Sequence, residues 1–137
     1  MALTHLVDTS VLTRVNKPEV RAVLEPLLLH HSVVRVGISD LEIGFSAHDD
    51  EQWLSLQNAL QVFPLVELSE EHISRARSVQ RLLAERGHQG RKISDLLVAA
   101  AAEQRGLTLL HYDSDVDVIA HVTAQQSQWV TPLGSID

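Results

Sequence analysis

Three features of the chain predict an α/β fold: a mostly parallel sheet of about five strands with helices on both faces. Short apolar, β-branched runs alternate with longer stretches of helical periodicity, the pattern of strand–helix–strand units. Capping and turn residues mark most changes of pattern. Acidic residues recur where a predicted strand stops or a helix starts. At 137 residues and 45% hydrophobic content, one domain over residues 1–137 can bury a sizeable core.

The elements follow in order. Residues 3–7 read as a short buried strand, stopped by the capping residues Asp8, Thr9 and Ser10 ahead of a helix. Pro18 fits the first turn of the next helix, in which Val20, Val23, Leu24, Leu27 and Leu28 form a core-facing stripe. Residues 32–37, with Val33, Val34 and Val36, read as the second strand. Ser39 then caps a helix running to about Ala47. Asp49 and Asp50 open another, with Trp53, Leu56, Leu60 and Phe63 near one face and Pro64 as its stop. Residues 65–68 form a brief strand. Ser69 opens a long amphipathic helix with Ile73, Ala76, Val79 and Leu83 inward, closed near Gly87. The helix from Leu96 to Arg105 is apolar nearly all round and therefore central, and Gly106 ends it. Residues 107–110 are a strand, 115–122 a short helix and 128–130 the last strand.

Composition excludes several classes of protein. Without cysteine there are no disulfides, iron–sulfur clusters or thiolate zinc sites. The eight histidines show no zinc-binding spacing, so His30 and His31 read as structural and His111 as a strand-end or core residue. The first residues lack a signal-peptide pattern, and no apolar run reaches the roughly 18 residues that a membrane span needs. A cytoplasmic protein is expected. A net charge of −7 argues against binding nucleic acid through bulk electrostatics. Six of the 11 basic residues nevertheless fall together: Arg75, Arg77, Arg81, Arg86, Arg91 and Lys92. They form either a solvated helix face or a phosphate-gripping rim.

In an open parallel sheet the carboxyl ends of the strands share one edge, and ligands bind in the crevice there. Asp8, Glu42, Asp95 and the trio Asp113, Asp115 and Asp117 would converge at that edge. Crowded carboxylates repel unless a cation neutralises them, and all-oxygen ligands suit Mg2+ or Mn2+. The expectation is metal-dependent chemistry on phosphate esters. Each acid also has an ordinary structural reading: Asp8 and Asp95 as helix caps, Ser39 and Glu42 as a capping box, Asp113 to Asp115 as a turn.

Four segments in order carry a family resemblance: Val7-Asp8-Thr9-Ser10, Ser39-Asp40-Leu41-Glu42-Ile43-Gly44, Ile93-Ser94-Asp95-Leu96-Leu97-Val98-Ala99, and Leu110-His111-Tyr112-Asp113-Ser114-Asp115 onward to Ala120. Together they resemble PIN domains, and more narrowly the VapC-type ribonuclease toxins of type II toxin–antitoxin pairs. The likeness extends over essentially the whole chain, through Gln128-Trp129-Val130. It implies a PIN-like three-layer sandwich, Mg2+ or Mn2+ dependence, endonucleolytic cleavage of RNA by a metal-activated water, and neutralisation by a small antitoxin. It also implies a homodimer. By position, Asp8, Glu42, Asp95 and Asp113 match the acidic metal-binding quartet, and Asp115 a further acid of this subgroup. Thr9 and Ser10 would support Asp8 by hydrogen bonds, and Arg14, Arg91 and Lys92 are candidates for holding RNA phosphates. Val116 departs from the bulky aromatic usual there, while Asp117 reads as a surface residue.

Other readings weigh less. An aspartyl phosphatase wants a second acid two positions after the nucleophile, where this chain has Ser10. A phospho-receiver wants a lysine near a late strand end, whereas Lys92 precedes a helix. A PIN-like binding module that has lost catalysis is the non-enzymatic alternative.

Overall fold

The computed structural model describes residues 2–137. Five strands, β1 (His5–Val7), β2 (Val33–Val36), β3 (Leu65–Val66), β4 (Thr108–His111) and β5 (Ser127–Trp129), form one sheet in the order β3-β2-β1-β4-β5. Every pairing is parallel, with Leu6 opposite both Val34 and Leu109. The chain builds outward from β1 through β2 to β3, then returns to place β4 on the other side of β1. That reversal opens a crevice beyond the carboxyl ends of β1 and β4, the position where such sheets bind ligands.

Period-two alternation assigns the strand side chains to two cores, one on each face. Leu6, Val34, Val36 and Leu109 point into the core formed with α5 (Glu70–Glu85), α6 (Ile93–Gln104) and α7 (Ser114–Thr123). Val7, Val33 and Leu110 point into the opposite core with α1 (Thr9–Leu12), α2 (Pro18–Leu29) and α4 (Asp50–Leu60). The helix α3 (Gly37–Phe45) sits at the crevice and sends Ile38 to the first core and Ile43 to the second. The result is the expected three-layer α/β sandwich. Helix α6 carries Val98 through Ala102 at 3% exposure or less, so the all-round apolar helix is the buried one. No helix among the described residues is long and apolar enough to cross a membrane.

Four expectations change. Helix α3 starts at Gly37, two residues before Ser39, so Ser39 lies inside the helix, fully buried, and the Ser39–Glu42 capping box does not form. Helix α6 starts at Ile93 with Lys92 as its cap position, which places Asp95 in the first turn rather than at the cap. Ile73 is 51% exposed, because only Ala76, Val79 and Leu83 (with His72) complete the inward stripe of α5. Trp53 is also largely exposed, but its indole lies over Gly44, where an added Cβ would meet Nε1 at 2.7 Å. Gly44 is thus a close contact between α3 and α4. Val116, small for its place, is buried in the first core.

Candidate metal centre

The two acids at the ends of β1 and β4 are positioned by the helices they cap. Asp8 caps α1: its Oδ2 accepts from the Ser10 backbone N–H at 3.1 Å and the Ser10 hydroxyl at 2.5 Å. The Ser10 Oγ in turn accepts from the Tyr112 N–H at 2.8 Å, which ties the end of β1 to the end of β4. Asp113 caps α7, its Oδ1 accepting from the Asp115 N–H at 2.9 Å. Capping and site roles therefore coexist, because a cap engages one carboxylate oxygen and leaves another.

Glu42 is held differently. Thr9 donates to Oε1 at 2.7 Å and Ser94 donates to Oε2 at 3.0 Å. Since the single Thr9 hydroxyl proton is committed to Glu42, the 2.7 Å contact between Thr9 and Ser39 requires Ser39 to donate. A relay from α3 through α1 back to α3 thus fixes the carboxylate, with α6 supplying the second donor. Ser10 bonds Asp8, whereas Thr9 bonds Glu42 rather than Asp8. Ser39 was legible only as the capping-box partner of Glu42, and nothing local in the sequence assigns Ser94, 52 positions away, to Glu42.

Asp95 is 8% exposed, and its Oδ2 is buried without a hydrogen-bond partner among the described residues. Burial first, then the charges of Asp8 and Asp113, push its carboxyl up to about 7, while Lys92 and Glu42 pull in opposite directions more weakly. Asp8 is also raised, chiefly by burial and against the two Ser10 hydrogen bonds. These mutual shifts place Asp8, Glu42, Asp95 and Asp113 within one electrostatic neighbourhood. Asp95, Asp113 and Asp115 each offer an oxygen within 4.8 Å of the others. An all-carboxylate set in which one buried oxygen lacks a partner fits a hard divalent cation.

The basic candidates separate. Arg91 donates to Asp115 Oδ1 at 2.7 Å, and Lys92 lies at the start of α6 beside Asp95. Arg14 is turned to Asp137 at 2.5 Å and to the Ser10 carbonyl, lying over the Tyr112 ring. Arg75 pairs with Glu103 and Arg81 with Glu85, so the basic stretch is not one continuous rim. Asp117 is at the surface, accepting from the Trp129 indole at 3.0 Å. Trp129 packs against His111 and Tyr112. His111 is fully buried, and burial lowers its pKa.

Residues 5–122 match the PIN domain family. The chain is 51% identical to Ribonuclease VapC51 of Mycobacterium tuberculosis over the whole of both chains. This protein belongs to the PIN domain family, among the VapC ribonucleases. Ribonuclease VapC21 of the same species is 37% identical, with 98% of this chain and 99% of VapC21 covered. Among solved structures, VapBC2 from Rickettsia felis superposes with a TM-score of 0.78 at 16% identity, covering 94% of this chain and 99% of that one. FitAcB from Neisseria gonorrhoeae gives 0.74 at 19% identity, over 93% and 98%. At such low identity these two show the shared fold. The expected family and three-layer architecture are thereby borne out.

Proposed function

We propose that this VapC-family protein is the toxin of a type II toxin–antitoxin pair, a metal-dependent endoribonuclease working in the cytoplasm as one domain over residues 1–137. The buried, unpartnered Oδ2 of Asp95 amid three further carboxylates carries this reading. That arrangement is costly in a binding module and is relieved by a cation. Asp8, Glu42, Asp95 and Asp113, with Asp115, would hold Mg2+, for which Mn2+ can substitute. The ion supplies Lewis-acid activation of water and stabilisation of charge on the phosphodiester.

The chain's own residues do the positioning. Ser10 fixes Asp8 across β1 and β4, Thr9 and Ser94 fix Glu42, and the α7 cap fixes Asp113. The carboxylates then orient a water for in-line attack on RNA, leaving a 5′-phosphate and a 3′-hydroxyl. Arg91 and Lys92 lie beside these acids and suit a substrate phosphate. Arg14 is engaged by Asp137, and must leave that contact to serve RNA. A cognate antitoxin with a basic segment suits the same acidic crevice, and a homodimer is the expected assembly.

The test is cleavage of total RNA by the purified protein with Mg2+ or Mn2+, with EDTA and the Asp8→Asn variant as controls. Metal-dependent cleavage lost in both controls is expected. Cleavage that survives in either one overturns the assignment, and metal binding without any cleavage returns the protein to the class of binding modules.

A further inference from the structure

We propose that Arg91 is a built-in counter-cation of the acidic crevice, competing with the divalent ion for Asp115. This rests on the metal reading above and extends it to a residue that regulates how readily the ion is held. The guanidinium Nη1 donates to Asp115 Oδ1 at 2.7 Å. The pair is half-buried, with 27% and 34% of the two side chains exposed. Asp115 is also one of the three acids whose oxygens converge within 4.8 Å. The ion pair therefore occupies an oxygen of the very group that would complete the ligand set.

Two further observations separate this contact from an ordinary surface pair. The Arg91 Nε is buried and has no acceptor among the described residues. The fork is thus only partly satisfied, although a guanidinium in a purely structural ion pair is generally bonded through several of its N–H groups. Asp95, whose Oδ2 is likewise buried without a partner, belongs to the same convergent trio. The crevice is therefore under-bonded on both the cationic and the anionic side, an arrangement suited to exchanging one cation for another. Arg91 also follows a loop turned by Gly87 and Gly90, at φ of +75° and +89°, conformations in which a side chain would be strained. Lys92, the neighbouring cation, instead stands at the start of α6, where it only partly offsets the upward push on Asp95.

Without the ion, Arg91 offsets the repulsion among the carboxylates. With it, Asp115 turns to the ion and the guanidinium is released at the rim, where an RNA phosphate is the next anion to arrive. Arg91 is a positioning residue in this scheme, and its effect is readable without substrate.

The experiment is Mn2+ binding by isothermal titration calorimetry, together with thermal melting in EDTA and in saturating Mn2+, for the full chain and Arg91→Ala. Removing the competing cation should tighten Mn2+ binding by about fivefold, the scale of a partly exposed ion pair. It should lower the melting temperature in EDTA and shrink that difference in Mn2+. In an Asp115→Asn background, Arg91→Ala should leave Mn2+ affinity unchanged. Equal or weaker Mn2+ binding by Arg91→Ala, or equal destabilisation with and without Mn2+, overturns the proposal and leaves a structural ion pair. If Arg91→Ala does not fold, Arg91→Gln serves the same comparison. Absence of Mn2+ binding by the unmodified protein removes both the metal reading and this proposal, whereas binding with no Arg91 effect removes only the latter.

Discussion

The two halves of the acidic crevice are built on opposite principles. On the Asp8 and Glu42 side, every anion has local donors: Ser10 for Asp8, Thr9 and Ser94 for Glu42. On the Asp95 and Asp115 side, one carboxylate oxygen is buried without a partner and another is held only by Arg91. The first half is fixed before any ligand arrives. The second is left under-satisfied, and it is where a cation gains most. Preorganised ligands beside under-bonded ones allow tight geometry without eliminating the drive to bind.

Asp95→Asn breaks this contrast most severely. It should lower Mg2+-dependent RNA cleavage by about a thousandfold or more, as removing a principal electrostatic group does. It should also raise the melting temperature in EDTA, because a neutral amide replaces a carboxyl whose charge is costly there. Loss of activity accompanied by a lower melting temperature in EDTA would contradict the under-satisfied half.

The pH dependence sharpens the same point. Asp95 is pushed up to about 7 in the folded protein from an ordinary 3.8, so the folded state binds its proton more tightly. Below about pH 4 the group is protonated in both states and costs nothing. Between about pH 4 and 7 the unfolded chain releases this proton while the folded state keeps it, which removes up to about 4 kcal/mol of stability, and above that pH the full cost remains. Metal-free protein should therefore melt at lower temperature at pH 8 than near pH 6, with the gap narrowed by Mg2+. His72, lowered by burial, acts in the opposite sense, losing stability as pH falls below 6.5. Melting curves against pH in EDTA and in Mg2+ separate the two, since the raised carboxyls of Asp95 and Asp8 respond to metal and His72 does not.

Ser94→Ala probes the fixed half. Removing one of the two donors to Glu42 should weaken Mn2+ binding by about 10–100-fold with little change in fold. Calorimetry giving wild-type affinity would show that Glu42 needs only Thr9. At the bottom of the scale, Arg81→Ala should change stability by less than about 0.5 kcal/mol, since its pair with Glu85 is an exposed i,i+4 contact. A measurable effect on RNA affinity would restore the continuous basic rim that the structure divides.

The order of the elements and the acids of the crevice were legible from the chain. Asp8 and Asp113 are visible because capping chemistry puts short polar side chains at strand-to-helix junctions. The buried helix α6 is visible because its apolar residues run all round. The start of α3 was not, because Ser39 imitates a cap that the preceding glycine and Ile38 pre-empt by starting the helix earlier. Ile73 matched the helical period, yet His72 and Ala76 take the inward face of α5 at that turn and leave it exposed.

By itself, the sequence determined the alternation of strands and helices, the all-round burial of helix α6 and the identity of the clustered acids. Those properties depend on local periodicity and on the preferences of single residues. The tertiary structure alone decided which hydroxyl serves which carboxylate, which oxygen stays unpartnered and which arginine reaches the crevice. The Ser94 bond to Glu42 spans 52 positions and the Tyr112 bond to Ser10 spans 102. Partners so distant meet only when the reversal of strand order brings the ends of β1 and β4 together, and no local propensity encodes that meeting.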